Sequence, residues 1–398
     1  MRMKFRFLRH VLLPVLLLCL MACSTNNSTL VNGGNGLLFE TAQANTTVSV
    51  YGINLSNGDL STVGSSIGTG TAPAAIAITP ALDAMFIANS GSNDISSYTT
   101  NSDGSLTAVS GTTKAGTTPM GLAIDPLGKF LFVANQGSSN ISAFTIGTGG
   151  ALTAVPGSPF TTIPIGLSYP IGTLPVGVAV SGSGNFLYVA NQLANFVSVF
   201  SINSTSGALR ASGVAFYATG DSPSGLGISP NGGFLYVMNA AATSNNVSAF
   251  AICDIVVTSC VRPTSPDGTL TPVAGSPFAA GLGPVAIAFD LNFNFAYVVD
   301  KGSNTISQYS WGPGDGALTP LSPATISTGL TPVAMAIRTG ATGTNIGNVT
   351  TNPTDYAYVA NNGAGSISIY TLTTSTGLLN VLGMPVLTFG QTSALVVR

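Results

Sequence analysis

The chain has 398 residues, and only 6% of them are Asp, Glu, Lys or Arg, against about 25% in ordinary soluble domains. Beyond residue 22, seven basic residues (Lys114, Lys129, Arg210, Arg262, Lys301, Arg338 and Arg398) stand against all 13 acidic ones, a formal charge of −6. No basic patch is available for nucleic acid. With 45% apolar residues and 48 glycines, the composition is that of a turn-rich β protein rather than a disordered tail.

The N-terminus reads as a targeting segment. Arg2, Lys4, Arg6 and Arg9 precede an apolar stretch from Val11 to Met21, too short to cross a bilayer as a helix of about 20 apolar residues. Leu20-Met21-Ala22-Cys23 resembles the lipobox of bacterial lipoproteins. That resemblance implies a signal peptide over 1–22, lipidation of Cys23, a linker over 23–35 and a membrane-anchored protein at the cell envelope. Ser24 is not an acidic retention residue, so the outer membrane or cell surface is the expected site. Of the other cysteines, Cys19 leaves with the signal peptide. Cys253 and Cys260 remain, close enough in an oxidising compartment to form a disulfide, and no other soft ligand is present to make them a metal site.

A repeat fills residues 36–398. Its most regular segment occurs as Phe130-Leu-Phe-Val-Ala-Asn135, Phe186-Leu-Tyr-Val-Ala-Asn191, Phe234-Leu-Tyr-Val-Met-Asn239, Phe295-Ala-Tyr-Val-Val-Asp300 and Tyr356-Ala-Tyr-Val-Ala-Asn361. Met85-Phe-Ile-Ala-Asn89 is a sixth copy and Leu37-Leu-Phe-Glu-Thr-Ala42 a degraded seventh. Successive copies end 47, 46, 56, 48, 61 and 61 residues apart, and the shorter spacings suit a four-stranded propeller blade. Before each regular copy comes Pro and a small-residue strand, such as Pro119-Met-Gly-Leu-Ala-Ile124. After it come an alternating strand, such as Asn140-Ile-Ser-Ala-Phe144, and a fourth behind a Gly turn. Gly and Ala suit a strand crowded around a central axis. Insertions at 161–172, 253–266 and 339–353 account for the long spacings, the first on one face and the other two on the opposite face.

The first copy lacks its small-residue strand, and the chain ends on an unmatched one, Ser393-Ala-Leu-Val-Val-Arg398. The two halves predict one composite blade closing a ring. The expected fold is all-β: a seven-bladed β-propeller of four-stranded antiparallel blades, closed by the C-terminal strand, which leaves no open sheet edge.

The Tyr188-Val-Ala-Asn191 repeat resembles the beta-propeller lactonase family and its tyrosine-valine-threonine-asparagine relatives, over essentially the whole chain after the targeting segment. The resemblance implies hydrolysis of a lactone of the 6-phosphogluconolactonase type. The family pattern places a His ahead of one inner strand, an Arg-His pair ahead of another, and a Glu after a second-strand Asn. Here Met120, Ser224, Gly225 and Ala240 occupy those positions. The single histidine, His10, lies in the targeting segment, so no Ser-His-Asp triad and no His-ligated metal is expected. Neither an Asp-rich calcium loop nor a haem attachment motif is present, and no cofactor, metal or catalytic residue is assigned.

Two arrays remain as binding candidates. One follows the second strands: Asn135-Gln136, Asn191-Gln192, Asp300-Lys301 and Asn361-Asn362, a quasi-circular set of amides suited to carbohydrate or peptide, although recurrence in nearly every blade favours asparagines that serve local turns and backbone. The other closes the inner strands, where Asp290, Arg338 and Arg398 stand among turn residues. The expected function is a monomeric, non-catalytic scaffold binding an envelope protein or carbohydrate. The alternative is a lactonase-like hydrolase using Asp, Arg or Lys groups of the channel.

Overall fold

The computed structural model describes residues 36–162, 173–254, 267–290, 294–338, 355–388 and 390–398. The expected signal peptide over 1–22, the expected linker with Cys23, and most of the three insertions lie outside the described residues. Seven antiparallel sheets succeed one another. Blade 1 is Pro73–Ile78, Ala84–Asn89, Asp94–Thr100 and Leu106–Ala108, and blades 2 to 6 repeat this order of inner, second, third and outer strand. The described residues hold no α-helix, only one 3-10 turn at Thr148–Gly150.

Blade 7 is composite. Its second, third and outer strands are Gly36–Ala42, Thr47–Ile53 and Leu60–Thr62, and its inner strand is Thr392–Val397. Thr392–Val397 runs antiparallel to Gly36–Ala42, with Glu40 opposite Leu395 and Leu38 opposite Val397. Each inner strand packs on those of its two neighbouring blades, so the ring is closed as the unmatched strand required.

Crowding at the axis explains the small residues. A Cβ on Gly121 would lie 2.8 Å from the Val176 carbonyl of the next blade, and one on Gly225 would lie 2.4 Å from that of Val285. Between blades, alternate residues of the second strand face opposite neighbours. Leu131 and Val133 pack back against Phe86 and Ile95 of blade 1, while Phe132 and Ala134 pack forward against Leu187 and Val189 of blade 3. Burying each such aliphatic or aromatic side chain stabilises the ring by about 1.5–3 kcal/mol.

Hydrogen bonds reinforce the apolar seams. Tyr188, Tyr236 and Tyr297, at one repeat position, donate to the carbonyls of Gly268, Gly316 and Gly377 in the following blade, at 3.3, 2.7 and 2.6 Å. Each of those glycines has φ between +72 and +74. A Cβ there would strike Phe186, Phe234 or Phe295, so the ring of the second strand's first residue lies flat on a glycine that no side chain could replace. Trp311 is buried and donates from Nε1 to the Tyr236 hydroxyl at 2.8 Å, a packing role. Cys253 is 1% exposed and disulfide-bonded; Cys260, its expected partner, lies outside the described residues.

Candidate functional site

A propeller offers two mouths to its central channel, and the chain treats them differently. At the first, inner strands begin and second strands end. Every inner strand there carries a bulge at its second residue: Ala74, Met120, Val176, Ser224, Val285, Val333 and Ser393 are each the extra residue against the neighbouring strand. Bulges re-aim side chains and are common beside functional sites. Ahead of each inner-strand Pro stands a residue in left-handed backbone, namely Ala72, Thr118, Leu174, Ser222, Gly283 and Thr331, with φ from +51 to +61. For the five that carry a side chain this costs on the order of 1 kcal/mol each, and such strain gathers where structure must over-determine a position.

The bulged positions are mostly apolar, and the two serines are already engaged. Ser224 donates to the carbonyls of Met238 and Pro284 at 3.1 and 2.5 Å, and Ser393 shares a 2.9 Å bond with the Thr41 hydroxyl. Around this ring lies the amide array. Gln136 Nε2 donates to Gln192 Oε1 at 3.0 Å, and Gln192 Nε2 reaches Ser222 Oγ at 3.4 Å, linking blades 2, 3 and 4. Asn362 donates to the Thr392 carbonyl at 2.9 Å, and Lys301 is exposed. Leu282 and Leu330, 57% and 60% exposed, stand just ahead of the inner strands of blades 5 and 6. They add an apolar margin that the residue pattern had not suggested.

Half of the amide array is not presented at all. Asn135, Asn191, Asn361 and Asp300 are fully buried. The amides of Asn135, Asn191 and Asn361 donate at 2.9 Å to Ser142, Ser198 and Ser368 on the third strand. In blade 5 the polarity reverses, and Ser307 donates to Asp300 Oδ2 at 2.7 Å. Burial raises the Asp300 carboxyl to about 6, partly offset by the Ser307 and Thr305 hydroxyls. These four residues tie second strand to third, and only Gln136, Gln192, Lys301 and Asn362 remain on the surface of this mouth. The signal was in the repeat itself: a residue recurring in nearly every blade serves the blade.

At the second mouth, inner strands end in turns. Asp125 Oδ1 accepts from the backbone N–H groups of Lys129 and Phe130, both at 2.6 Å, and Ser181 and Ser229 accept from Phe186 and Phe234 at 3.2 and 3.0 Å. Asp290 is fully buried at the same position in blade 5. It is therefore not presented to a ligand, and of the candidate set Asp290, Arg338 and Arg398 only the two arginines reach the surface of this mouth. Arg338 and Arg398 are half-buried at the ends of the last two inner strands. No group of three or more His, Cys, Asp or Glu side chains among the described residues is placed to hold a metal ion. A recess of about 400 Å³ lies elsewhere, on the rim of blade 1 between Gly68, Ser97, Ala108 and Thr112, and brings no carboxylate, amine or guanidinium.

The closed ring and its two mouths define a seven-bladed propeller of the lactonase type. The family model for the seven-bladed beta-propeller lactonases matches residues 45–162, 161–255 and 254–386, and the chain belongs to that family. Solved structures similar to it include the periplasmic gluconolactonase of Pseudomonas aeruginosa, with TM-score 0.72 and 18% identity over 91% of this chain and 98% of that one. A Bacteroides fragilis protein named as a candidate 6-phosphogluconolactonase superposes with TM-score 0.73 and 19% identity, covering 94% of this chain and 100% of its own. At such identities the likeness speaks for the fold alone. No curated protein matches the chain.

Proposed function

We propose that this chain is an envelope lipoprotein, anchored through Cys23, whose first mouth binds a neutral lactone or related sugar derivative without hydrolysing it. The observation that carries this reading is the chemistry at the four family positions. Met120, Ser224, Gly225 and Ala240 can neither take a proton nor stabilise an oxyanion with a charge, while the fold that presents them is kept. What the mouth offers instead is an apolar rim with amides at its edge. This combination suits a ligand with one apolar face and several hydroxyl or carbonyl groups.

Family membership and the gluconolactonase-like neighbours favour a second reading, hydrolysis by a non-standard site. A panel of sugar and aliphatic lactones, followed both by calorimetry and by acid release, separates the two. Binding without acid release supports the receptor reading, with the Gln192→Ala and Leu330→Ala variants binding more weakly. Turnover by the purified protein would overturn it in favour of the hydrolase, and absence of binding across the panel would sink both.

A further inference from the structure

The outer rim of blade 6 breaks a pattern that the other six blades keep. Two positions of each outer strand are made equivalent by their pairing with the third strand, and small or polar residues fill both elsewhere. The first holds Thr62, Ala108, Ala154, Ala211, Pro272 and Pro320, but Val381 in blade 6. The second holds Gly68, Lys114, Thr161, Ala218, Ala279 and Ser327, but Leu387 in blade 6. Between them Met384 precedes Pro385, where blades 2 and 4 have Ser158 and Ser276 accepting from the backbone N–H groups of Ala143 and Ala249. Val381, Met384 and Leu387 are 63%, 88% and 79% exposed. Their neighbours Leu382 and Val386 turn the other way, into the seam with blade 7. Among the described residues the one other large apolar side chain exposed on an outer strand is Phe216 of blade 3, and it packs on the Phe196 ring at 5.5 Å.

The place where the chain enters the ring bears on what this face meets. Gly36, the first residue of blade 7, follows directly on the expected linker over 23–35. Across the seam it adjoins the end of the inner strand of blade 6, since a Cβ on Gly36 would lie 2.8 Å from Arg338 Nε. From that inner strand to the outer one is three strand spacings, about 15 Å. The 13 residues from Cys23 to Asn35 span at most about 45 Å. A lipid on Cys23 therefore lies within reach of the blade 6 rim. Charge points the same way. Residues 356–397 contain no Asp, Glu, Lys, Arg or His, so nothing ionised in this stretch resists leaving water. On the other flank of blade 7, blade 1 exposes Asp103 and Lys114 on its rim.

We propose that Val381, Met384 and Leu387 form a lipid-contact face, seated in the interface of the bilayer that holds Cys23; this rests on the anchored reading given above. Removing exposed apolar side chains from water drives the contact. The anchor makes it an intramolecular event, so a small apolar face is enough to hold it. The propeller then stands on edge, with its central channel parallel to the membrane. Both mouths open sideways into water, and neither is pressed against lipid.

The test places a tryptophan on this face of the full protein, extracted with its anchor and reconstituted in phosphatidylcholine vesicles with or without brominated acyl chains. Met384→Trp and Leu387→Trp should each lose most of their added emission to the brominated lipid, and emit further to the blue than Leu127→Trp. Leu127, also exposed but on a turn of blade 2, is the control, and buried Trp311 gives all three variants the same background. Two probes cover the case in which one variant fails to fold. Vesicle-bound Met384→Trp and Leu387→Trp quenched no more than Leu127→Trp would overturn the proposal. A blue shift that grows with the protein-to-lipid ratio, without quenching, would mark contact between copies and overturn it as well. A parent protein that does not float with vesicles, and whose mass shows Cys23 unmodified, would remove the anchor itself and the lipid face with it, by a readout separate from the quenching.

Discussion

The Tyr358 hydroxyl donates to the Gly58 carbonyl at 3.1 Å, joining residues 300 positions apart in the chain. It is the same bond that Tyr188, Tyr236 and Tyr297 make one blade ahead, but here it spans the seam where the last regular blade meets the composite one. Gly58 has φ of +77, and a Cβ on it would sit 2.4 Å from the Tyr356 ring. Tyr358→Phe should lower stability by about 0.5–1.5 kcal/mol, the net value of one hydrogen bond. Gly58→Ala should cost more, since it adds backbone strain and a collision. Urea titrations of both variants check the order; a Gly58→Ala variant as stable as Tyr358→Phe would show that the seam yields more easily than its geometry implies.

Removing residues 391–398 should be far more damaging than an ordinary terminal trim. It deletes the whole inner strand Thr392–Val397 and bares the edge of Gly36–Ala42. An unpaired edge templates association, so the truncated chain should both melt lower and aggregate, as light scattering during a thermal ramp would report. An unchanged melting temperature would rule out the closure.

Asp300 stands where the blades with a regular copy have Asn, and burial holds its carboxyl near 6, above its ordinary 3.8. The folded state therefore binds the proton more tightly than the unfolded chain. Its contribution to stability is greatest below about 4 and declines as pH rises towards 6. Asp300→Asn should remove that decline and stabilise the protein at pH 7 by up to about 3 kcal/mol. Melting curves at pH 4 and pH 7 give the comparison: a gain at both, or at neither, counts against this origin.

Glu40 is the stronger case. It is the only glutamate, it is fully buried, and its register places it where other copies have Ile87, Val133, Val189, Val237, Val298 and Val359. Neither carboxyl oxygen has a hydrogen-bond partner, and burial pushes the group up to about 7, with the nearby Thr392 and Ser49 hydroxyls only partly offsetting it. The sign is the same as for Asp300, with stability lost between about 4.5 and 7 as the buried carboxyl is forced to ionise. Glu40→Val should flatten that slope, and Glu40→Gln should flatten it while leaving the packing less favourable. The slope of melting temperature against pH in the three proteins decides it.

Asn191→Ala should lower stability by about 1–3 kcal/mol, because the Ser198 hydroxyl loses its partner inside the blade. Binding at the first mouth should not change. A variant that kept its stability and lost ligand would return this asparagine to the surface role its position first suggested.

Much of the architecture was written plainly in the chain. Seven spaced copies of one strand fixed the blade number, and the orphan strand at Ser393 matched the missing partner of Leu37 because strand pairing is a one-to-one requirement. Less legible was anything depending on two blades at once. The tyrosine-to-glycine bonds join residues about 80 positions apart, and no local pattern marks them as partners. The asparagines at the blade ends were ambiguous for a physical reason: an amide suits a ligand and a third-strand serine equally well, recurrence favoured the local role, and burial separates the two. Glu40 could have been found by aligning the copies, where it breaks a column of branched aliphatics. Arg338 and Arg398 stood out as unsuited to turns, but that the Arg338 side chain reaches Gly36 of the next blade needed three dimensions.

Blade 7 also sets a clock on synthesis. Its first three strands are complete at Thr62, but their missing neighbour does not exist until Thr392, some 330 residues later. At about 5–20 residues per second that is a delay of roughly 15–70 s. During it, the opening sheet stands with a raw edge while six finished blades accumulate behind it. A chain threaded through a membrane pore in extended form never meets this hazard until the last strand has cleared. A chain made in the open would need something to cover Gly36–Ala42 while it waits.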